Sequence, residues 1–543
     1  MEASCLAGLA GKCKIRLLKN KIIAMILKKL NCLFICIGFA VSAFGAVKMP
    51  SIFSDNMMIQ RDMPAPVWGT AEPNADILVE FGGKKVSTKA EISGKWRVVL
   101  PKMKADKTPK EMTVFENSMP AKKIKNILVG EVWVASGQSN MEWNVSGTDT
   151  AEETKKVADY PQMRYFRQRG DFASGKPLDD CVNGRWVVTT PREVASYSAV
   201  GFYFAERLMK ELDVPVGIIY AALGATPMHT WLPADKLDAN EGLKIDVQNH
   251  KKRMQGYDYN ALHKKWEGEV KKYIDARKDT IRKREKKLPR PSNFVQNEPI
   301  PEDPQGPRQL PSGSFNAKIA PILGFAVRGV IWYQGEGDAH SHRVGHFEET
   351  FELLINTWRE RWGQKDMPFY FVQLTSHYRP HDWPGARQAQ ENVSRKLKNA
   401  EMAVTVDVGL EKEIHPPKKK PVGVRLANLA LKNIYKKDVV YPYSPFFKSM
   451  ELKGDSTAVI TFKTGGRKLE CRGEPRGFEI LTPDGKWLPA KASFDGKKVE
   501  LKSPGGERIM AARYLWKAWA GDDVCIFNQD GLPAAPFTTE KQN

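Results

Sequence analysis

The spacing of hydrophobic and polar residues changes twice along the chain. Over 47–126, short β-rich runs at 77–81, 85–88, 96–100 and 112–115 are separated by Pro73-Asn74, Gly82-Gly83 and Ser93-Gly94. Runs of that length between turn-forming pairs predict a small β-sandwich. From Ile127 the grammar becomes an alternation of strands and helices. Near-continuous apolar runs at 127–134, 216–222, 327–333, 369–374 and 403–407 read as strands, and helical periodicity appears at 196–212, 346–362, 389–397 and 422–434. Strands apolar on both faces and separated by helices predict a parallel sheet covered on both sides. From 439 short β runs return, at 457–462, 477–481, 498–501 and 511–516. The predicted fold class is α/β, a three-layer α/β/α domain flanked by N- and C-terminal β-sandwich-like segments.

One stretch interrupts the alternation. Residues 237–315 begin as a basic helical segment and continue as a Pro- and Gln-rich tract, which reads as a surface insertion. The predicted organisation is therefore 1–46, a leader; 47–126, a β domain; 127–438, the α/β domain with its 237–315 insertion; and 439–543, a second β domain.

The N-terminus stands apart from the fold. Met25-Ile-Leu-Lys-Lys-Leu is basic, 32–44 is apolar, and Ala43-Phe44-Gly45 supplies small residues where a signal peptidase cuts. A signal peptide from Met25 to about Gly45 predicts a secreted or periplasmic protein. The apolar run is short for a membrane span, so no stable span is expected after its removal. The leader holds four of the seven cysteines, leaving Cys181, Cys471 and Cys525; at most one disulfide is expected.

Charge adds little to this picture. The formal net charge is +21; seven Lys/Arg and one Glu lie within 1–46, so the remainder carries about +15. Fifteen Lys/Arg against six Asp/Glu fall between Lys251 and Arg290. Both signs alternate there, as on a solvated helix face, and nucleic acid is not expected as a partner of an exported chain.

Chemistry is expected where strands end, because ligands of open α/β sheets bind beyond the carboxyl ends of the strands. Strand 127–134 runs into Gln138-Ser139-Asn140, and 216–222 into Gly224. Strand 327–333 runs into Gln334 and Glu336, and 403–407 ends on Asp407 with His415 eight residues later. A serine, a histidine, neighbouring acids, a glycine and a glutamine are the parts of acyl transfer: nucleophile, base, orienting acid and oxyanion donors. The Gly-x-Ser-x-Gly elbow is absent, since Met141 stands at the second glycine position.

Three runs in one order carry a resemblance. Gly137-Gln-Ser-Asn-Met-Glu-Trp, Trp332-Tyr-Gln-Gly-Glu and Ile414-His-Pro resemble the sialate O-acetylesterase family of the SGNH (GDSL-like) hydrolases. Residues 49–61 and 530–537 resemble that family's mature N-terminus and C-terminus. The resemblance implies an SGNH-type domain and a serine esterase that removes acetyl groups from sialic acid or related glycans, without metal or organic cofactor. Ser139 would attack the acetyl carbonyl and His415 would act as base. The backbone N–H groups of Ser139 and Gly224 and the Gln334 side chain would form the oxyanion hole, and Gln138, Asn140 and Glu336 are expected to meet substrate. The orienting acid stays open. Lys412 stands three residues before His415, where the superfamily has Asp; Glu413 is the first candidate, Asp407 the second, and a dyad with a backbone carbonyl the third. The same machinery would suit acetylxylan or another glycan.

Competing readings are a carbohydrate-binding protein without catalysis and several local features. His340, His342 and His346 have metal-like spacing but no clear fourth ligand, and no metal site is predicted. Glu336 and Asp338 lack a partner loop for glycosidase chemistry. Arg387-Gln388 stands where the family usually has Arg-Glu. Trp143, Trp332 and Trp383 are candidates to stack on sugar, with Trp332 expected in the core.

Overall fold

A computed structural model describes residues 47–540, apart from 169–172, most of 256–307, His340, Pro380 and Val439. The predicted leader and most of the basic tract lie outside the described residues.

The central sheet has seven strands. In chain order they are β1 (Met119–Gly137), β2 (Tyr160–Arg167), β3 (Arg185–Thr189), β4 (Val216–Ala222), β5 (Gly329–Tyr333), β6 (Phe369–Val372) and β7 (Ala400–Ala403). Their spatial order is β7-β6-β5-β1-β4-β2-β3, and every pairing is parallel except β2 with β3. Strand β1 is central, and its last residue, Gly137, lies opposite Ala222 of β4 and Tyr333 of β5.

Helices cover both faces, as apolar strands require. Helices α2 (Ala199–Leu212) and α6 (Lys420–Asn433) pack on one face over Trp133, Tyr333 and Tyr370. Helix α4 (Phe347–Trp362) and helix α5 (Trp383–Lys396) cover the other, where Phe351 meets Trp332 and Phe371. Ser198 starts α2 by accepting the Gly201 N–H at 3.1 Å.

Strand β1 is 19 residues long, and its burial changes character along it. Its first half pairs antiparallel with Asp106–Glu116, while its second half is buried on both faces between β4 and β5. The predicted division at 126/127 falls inside this one strand. Where the two halves meet, Glu131 is completely buried and accepts from Gln60 (3.1 Å), Arg61 (2.5 Å), Arg328 (3.0 Å) and Tyr435 (2.9 Å). With its donors met inside the protein, this buried carboxylate pins four separate segments together.

Beyond α6, two four-stranded antiparallel sheets and a two-stranded one form the described C-terminal part, with Ile460, Leu501, Phe478, Tyr514 and Phe537 among its buried residues. Arg387 of α5 ties it to the α/β core, donating to the carbonyls of Lys517 (2.9 Å) and Ala518 (3.0 Å), and to those of Leu374 and Thr375.

Two elements differ from the pattern-based expectation. The fifth predicted strand, 403–407, is displaced: β7 ends at Ala403, Val404 and Thr405 are buried but outside the strand, and Val406–Val408 form a 3-10 turn. There hydroxyl groups replace the ladder, Thr405 donating to the Gln373 carbonyl and Thr375 to the Thr405 carbonyl, both at 2.7 Å. Helix α5 begins at Trp383, six residues before its predicted start, because Asp382 caps it by accepting the Gly385 N–H at 2.8 Å. Among the described residues no helix is long and apolar enough to cross a membrane, and Cys181, Cys471 and Cys525 are free thiols.

Candidate active site

The carboxyl ends of β1, β4 and β5, with the loop that follows β7, assemble one polar centre. Strand β1 ends on Gly137 at φ +130°, and a Cβ there would lie 2.2 Å from the Tyr333 carbonyl. Only glycine lets the chain pass that strand. The next residues form the single-turn helix α1 (Ser139–Glu142), so half-buried Ser139 stands at its first position.

Helix α1 reaches the histidine loop twice. Asn140 donates to the Ile414 carbonyl at 3.0 Å, and the ring of Trp143 stacks on that of His415, centroids 5.2 Å apart. The Ser139 turn and the His415 loop are thus held together by Ser139's own neighbours. Burial and the facing cation of Lys419 lower the pKa of His415, with Arg379 and His377 adding to the effect and Glu413 opposing it. The neutral imidazole, the form that can accept a proton, is thereby favoured to below its ordinary value of 6.5.

The two candidate acids part company. A carboxylate oxygen of Glu413 lies 3.6 Å from His415 Nδ1 and accepts the His415 backbone N–H at 2.9 Å. Asp407 instead receives both arms of Arg425 at 2.7 Å and is held away as a structural ion pair. The structure therefore brings Glu413, and not Asp407, to the imidazole.

The expected oxyanion donors are engaged with protein acceptors. Gly224 packs beside Ser139, and its N–H donates to Glu142 Oε2 at 2.8 Å. The next residue, Ala225, holds a left-handed φ of 58°, a conformation that costs a non-glycine residue about 1–2 kcal/mol. Gln334 is buried, and its amide nitrogen donates to Asp338 and to the Thr226 carbonyl (3.2 Å). It braces the β4 loop against the β5 loop. Gln138 Oε1 accepts the Gly337 N–H at 3.3 Å, from the same β5 loop.

Glu336 and Asp338 are both buried, and burial raises the pKa of each. Glu336 accepts from Asn140 at 2.5 Å, and Asp338 accepts the Met228 N–H at 3.1 Å. Of the three tryptophans, Trp332 and Trp383 are core residues, and only Trp143 reaches the site. His342 is turned to Asp246 at 3.0 Å and His346 lies 3.8 Å from Glu349, while His340 is outside the described residues. Asp246, in the insertion helix α3 (Glu241–Met254), also binds His229 at 3.0 Å and Arg343 at 2.9 Å, anchoring the start of the insertion to the β5 loop.

Two functional neighbours escaped the sequence reading. Glu142 is the acceptor facing Gly224, and Lys419 is fully buried behind Asn140. Lys419 sits in a run of three lysines that reads as solvated. Its signal was periodicity: it lies three residues before Val422 and seven before Leu426, on the buried face of α6.

A family model described as "Carbohydrate esterase, sialic acid-specific acetylesterase" matches residues 315–432, which include the Gln334 and His415 loops. The sialate O-acetylesterase of Rattus norvegicus is 27% identical over 533 residues, covering 90% of this chain and 93% of that protein. The Homo sapiens sialate O-acetylesterase is 25% identical, covering 90% and 92%. A crystal structure of a carbohydrate acetylesterase from Xanthomonas citri superposes with a TM-score of 0.75 at 29% identity, covering 91% of this chain and all of that one. Over nearly the whole length of both chains, this protein is thus similar to sialate O-acetylesterases and to a carbohydrate acetylesterase whose fold it shares.

Proposed function

We propose that this carbohydrate O-acetylesterase works through an acetyl-enzyme on Ser139 and that O-acetylated sialic acid is its substrate. The observation that carries the reading is the double attachment of the nucleophile turn to the histidine loop, Asn140 to Ile414 and Trp143 to His415. The substrate is that of the curated relatives.

Ser139 Oγ attacks the acetyl carbonyl while His415 takes its proton. The C–O bond to the sugar then breaks, and the proton passes from His415 to the departing hydroxyl. A water molecule, deprotonated by the same imidazole, releases acetate and restores Ser139. Glu413 orients the imidazole. The N–H groups of Ser139 and Gly224 receive the developing oxyanion, Gly224 exchanging its bond to Glu142 for the substrate oxygen. Each such donor contributes about 2.7–4 kcal/mol in acyl-transfer enzymes. Gln334 completes the hole from the β5 side by giving up its bond to the Thr226 carbonyl, while Gln138, Asn140 and Glu336 shape its floor. The predicted signal from Met25 to about Gly45 would deliver the enzyme to the cell exterior or periplasm, where acetylated glycans are met.

Acetate release from 9-O-acetylated sialic acid tests the reading. Wild-type protein is expected to release acetate, and Ser139→Ala to lose the activity by about 10⁴-fold or more. Equal release by the two would overturn the serine mechanism, and release from acetylated xylan alone would overturn the substrate.

A further inference from the structure

Lys419 is a charged group in the wrong place for a solvated one. Its side chain is fully buried at the N-terminus of α6, where a helix favours anions over cations. Its ammonium donates to Asn140 Oδ1 at 2.5 Å and lies 5.6 Å from the ring centre of Tyr333 and 6.0 Å from that of Trp143. The amide of Asn140 is thereby used at both ends. Its oxygen takes Lys419, and its nitrogen serves Glu336 and the Ile414 carbonyl.

Four segments converge on one side chain: the nucleophile turn, the β5 loop, the residue before His415 and the start of α6. Reversal of the amide would set its nitrogen against an ammonium and its oxygen against a carboxylate and a carbonyl. Lys419 therefore fixes the orientation in which Asn140 can hold Ile414.

We propose that Lys419 is a positioning residue of the hydrolysis, holding the His415 loop on the nucleophile turn through Asn140 and presenting its ammonium to His415 from the protein interior. The inference rests on the Ser139–His415 mechanism above.

The charges on both partners are consistent with this role. Lys419 faces Glu336 and Glu413 besides His415, and His415 faces Lys419, Glu413, Arg379 and His377. Burial pushes the Lys419 pKa down to about 7, partly offset by those two carboxylates. His415 is lowered from its ordinary 6.5, so on the acid side, where it takes its proton, the ammonium is the prevailing form of Lys419. A cation facing the imidazole opposes its protonation, which keeps the base available to lower pH. Removal of the cation should raise the His415 pKa and move the acid limb of the rate profile upward.

Three substitutions separate the hydrogen bond from the charge. Lys419→Met removes both, Lys419→Gln keeps a donor without charge, and Lys419→Arg keeps both. Hydrolysis of p-nitrophenyl acetate is followed as kcat, KM and the pH profile of kcat/KM, with a thermal melt for each protein. Lys419→Met is expected to lose about 10²-fold in kcat, as for other errors of placement. Its KM should stay within about two-fold, because the residue does not touch substrate. Its acid limb should shift to higher pH. Lys419→Gln should recover part of kcat with the limb still shifted, and Lys419→Arg should hold the wild-type limb.

Wild-type kcat and acid limb in folded Lys419→Met and Lys419→Gln would overturn the inference. A limb displaced equally in Lys419→Arg would overturn the assignment to charge. If Lys419→Met does not fold, Lys419→Gln and Lys419→Arg decide by the same criteria. Should Ser139→Ala be inactive while all Lys419 variants behave as wild type, only this inference falls. Should Ser139→Ala keep full activity, the serine mechanism falls with it.

Discussion

His415→Ala is expected to lower kcat/KM for p-nitrophenyl acetate by about 10⁴-fold or more, with an unchanged fold, because the substitution removes the proposed base from beside the Ser139 turn. The ring lies on Trp143, and its loop is tied to Asn140, so the loss is chemical rather than architectural. In the wild type the acid limb should fall below pH 6.5, the imidazole being active only when neutral and its pKa being lowered by burial and Lys419. The acids divide in the same assay. Glu413→Gln should lose about 10²-fold in kcat/KM, since an acid that orients the base works through geometry which tightens on substrate binding. Asp407→Asn should change turnover by less than about two-fold, its carboxylate being held by Arg425, and should show instead as a lower melting temperature. Full activity in Glu413→Gln would leave His415 oriented by backbone alone.

The second large effect is on stability. Gly137→Ala is expected to destabilise the protein by about 3 kcal/mol or more, since it combines a forbidden φ with a backbone collision. The φ of +130° excludes side chains, and the new Cβ would stand 2.2 Å from a carbonyl oxygen of β5 that cannot move without breaking the sheet. A melting temperature lower by about 3–5 °C is the corresponding readout for a chain of this length. Gly83→Ala is the control: its φ is +75° with nothing within 4 Å of the added carbon, so only the conformational cost of about 1–2 kcal/mol applies. Equal shifts in the two would mean that strand β5 gives way at Tyr333.

Most of the scaffold was legible because its elements announce themselves through burial. Strands β4, β5 and β6 and helices α2, α4 and α6 are apolar in the spacing their neighbours demand, and each lies within a few residues of its expected place. The misplacement of β7 has the same cause. Val404 and Val406 are buried as deeply as strand residues, but threonine hydroxyls, which a hydropathy pattern does not register, replace the ladder. Ser139, Gln334 and His415 were legible as strand-end or loop chemistry and as motifs. Which carboxylate faces His415 was not, because Glu413 and Asp407 differ only in where Arg425 lies, a contact made across 18 residues. Lys419 was hidden for a related reason: a lysine is expected in water, and only the phase of α6 turns it inward.

The long strand β1 has a consequence for how this enzyme can be rebuilt or inherited. A single run of backbone enters as part of the N-terminal sheet and leaves as the support of Ser139, with Glu131 knotted midway. The N-terminal unit is thus no detachable cassette. A graft joined at 126/127 would have to restore a continuous strand and the donors around its buried carboxylate together, so swaps are expected to succeed only when they carry everything from Val47 through the Ser139 turn as one inheritance.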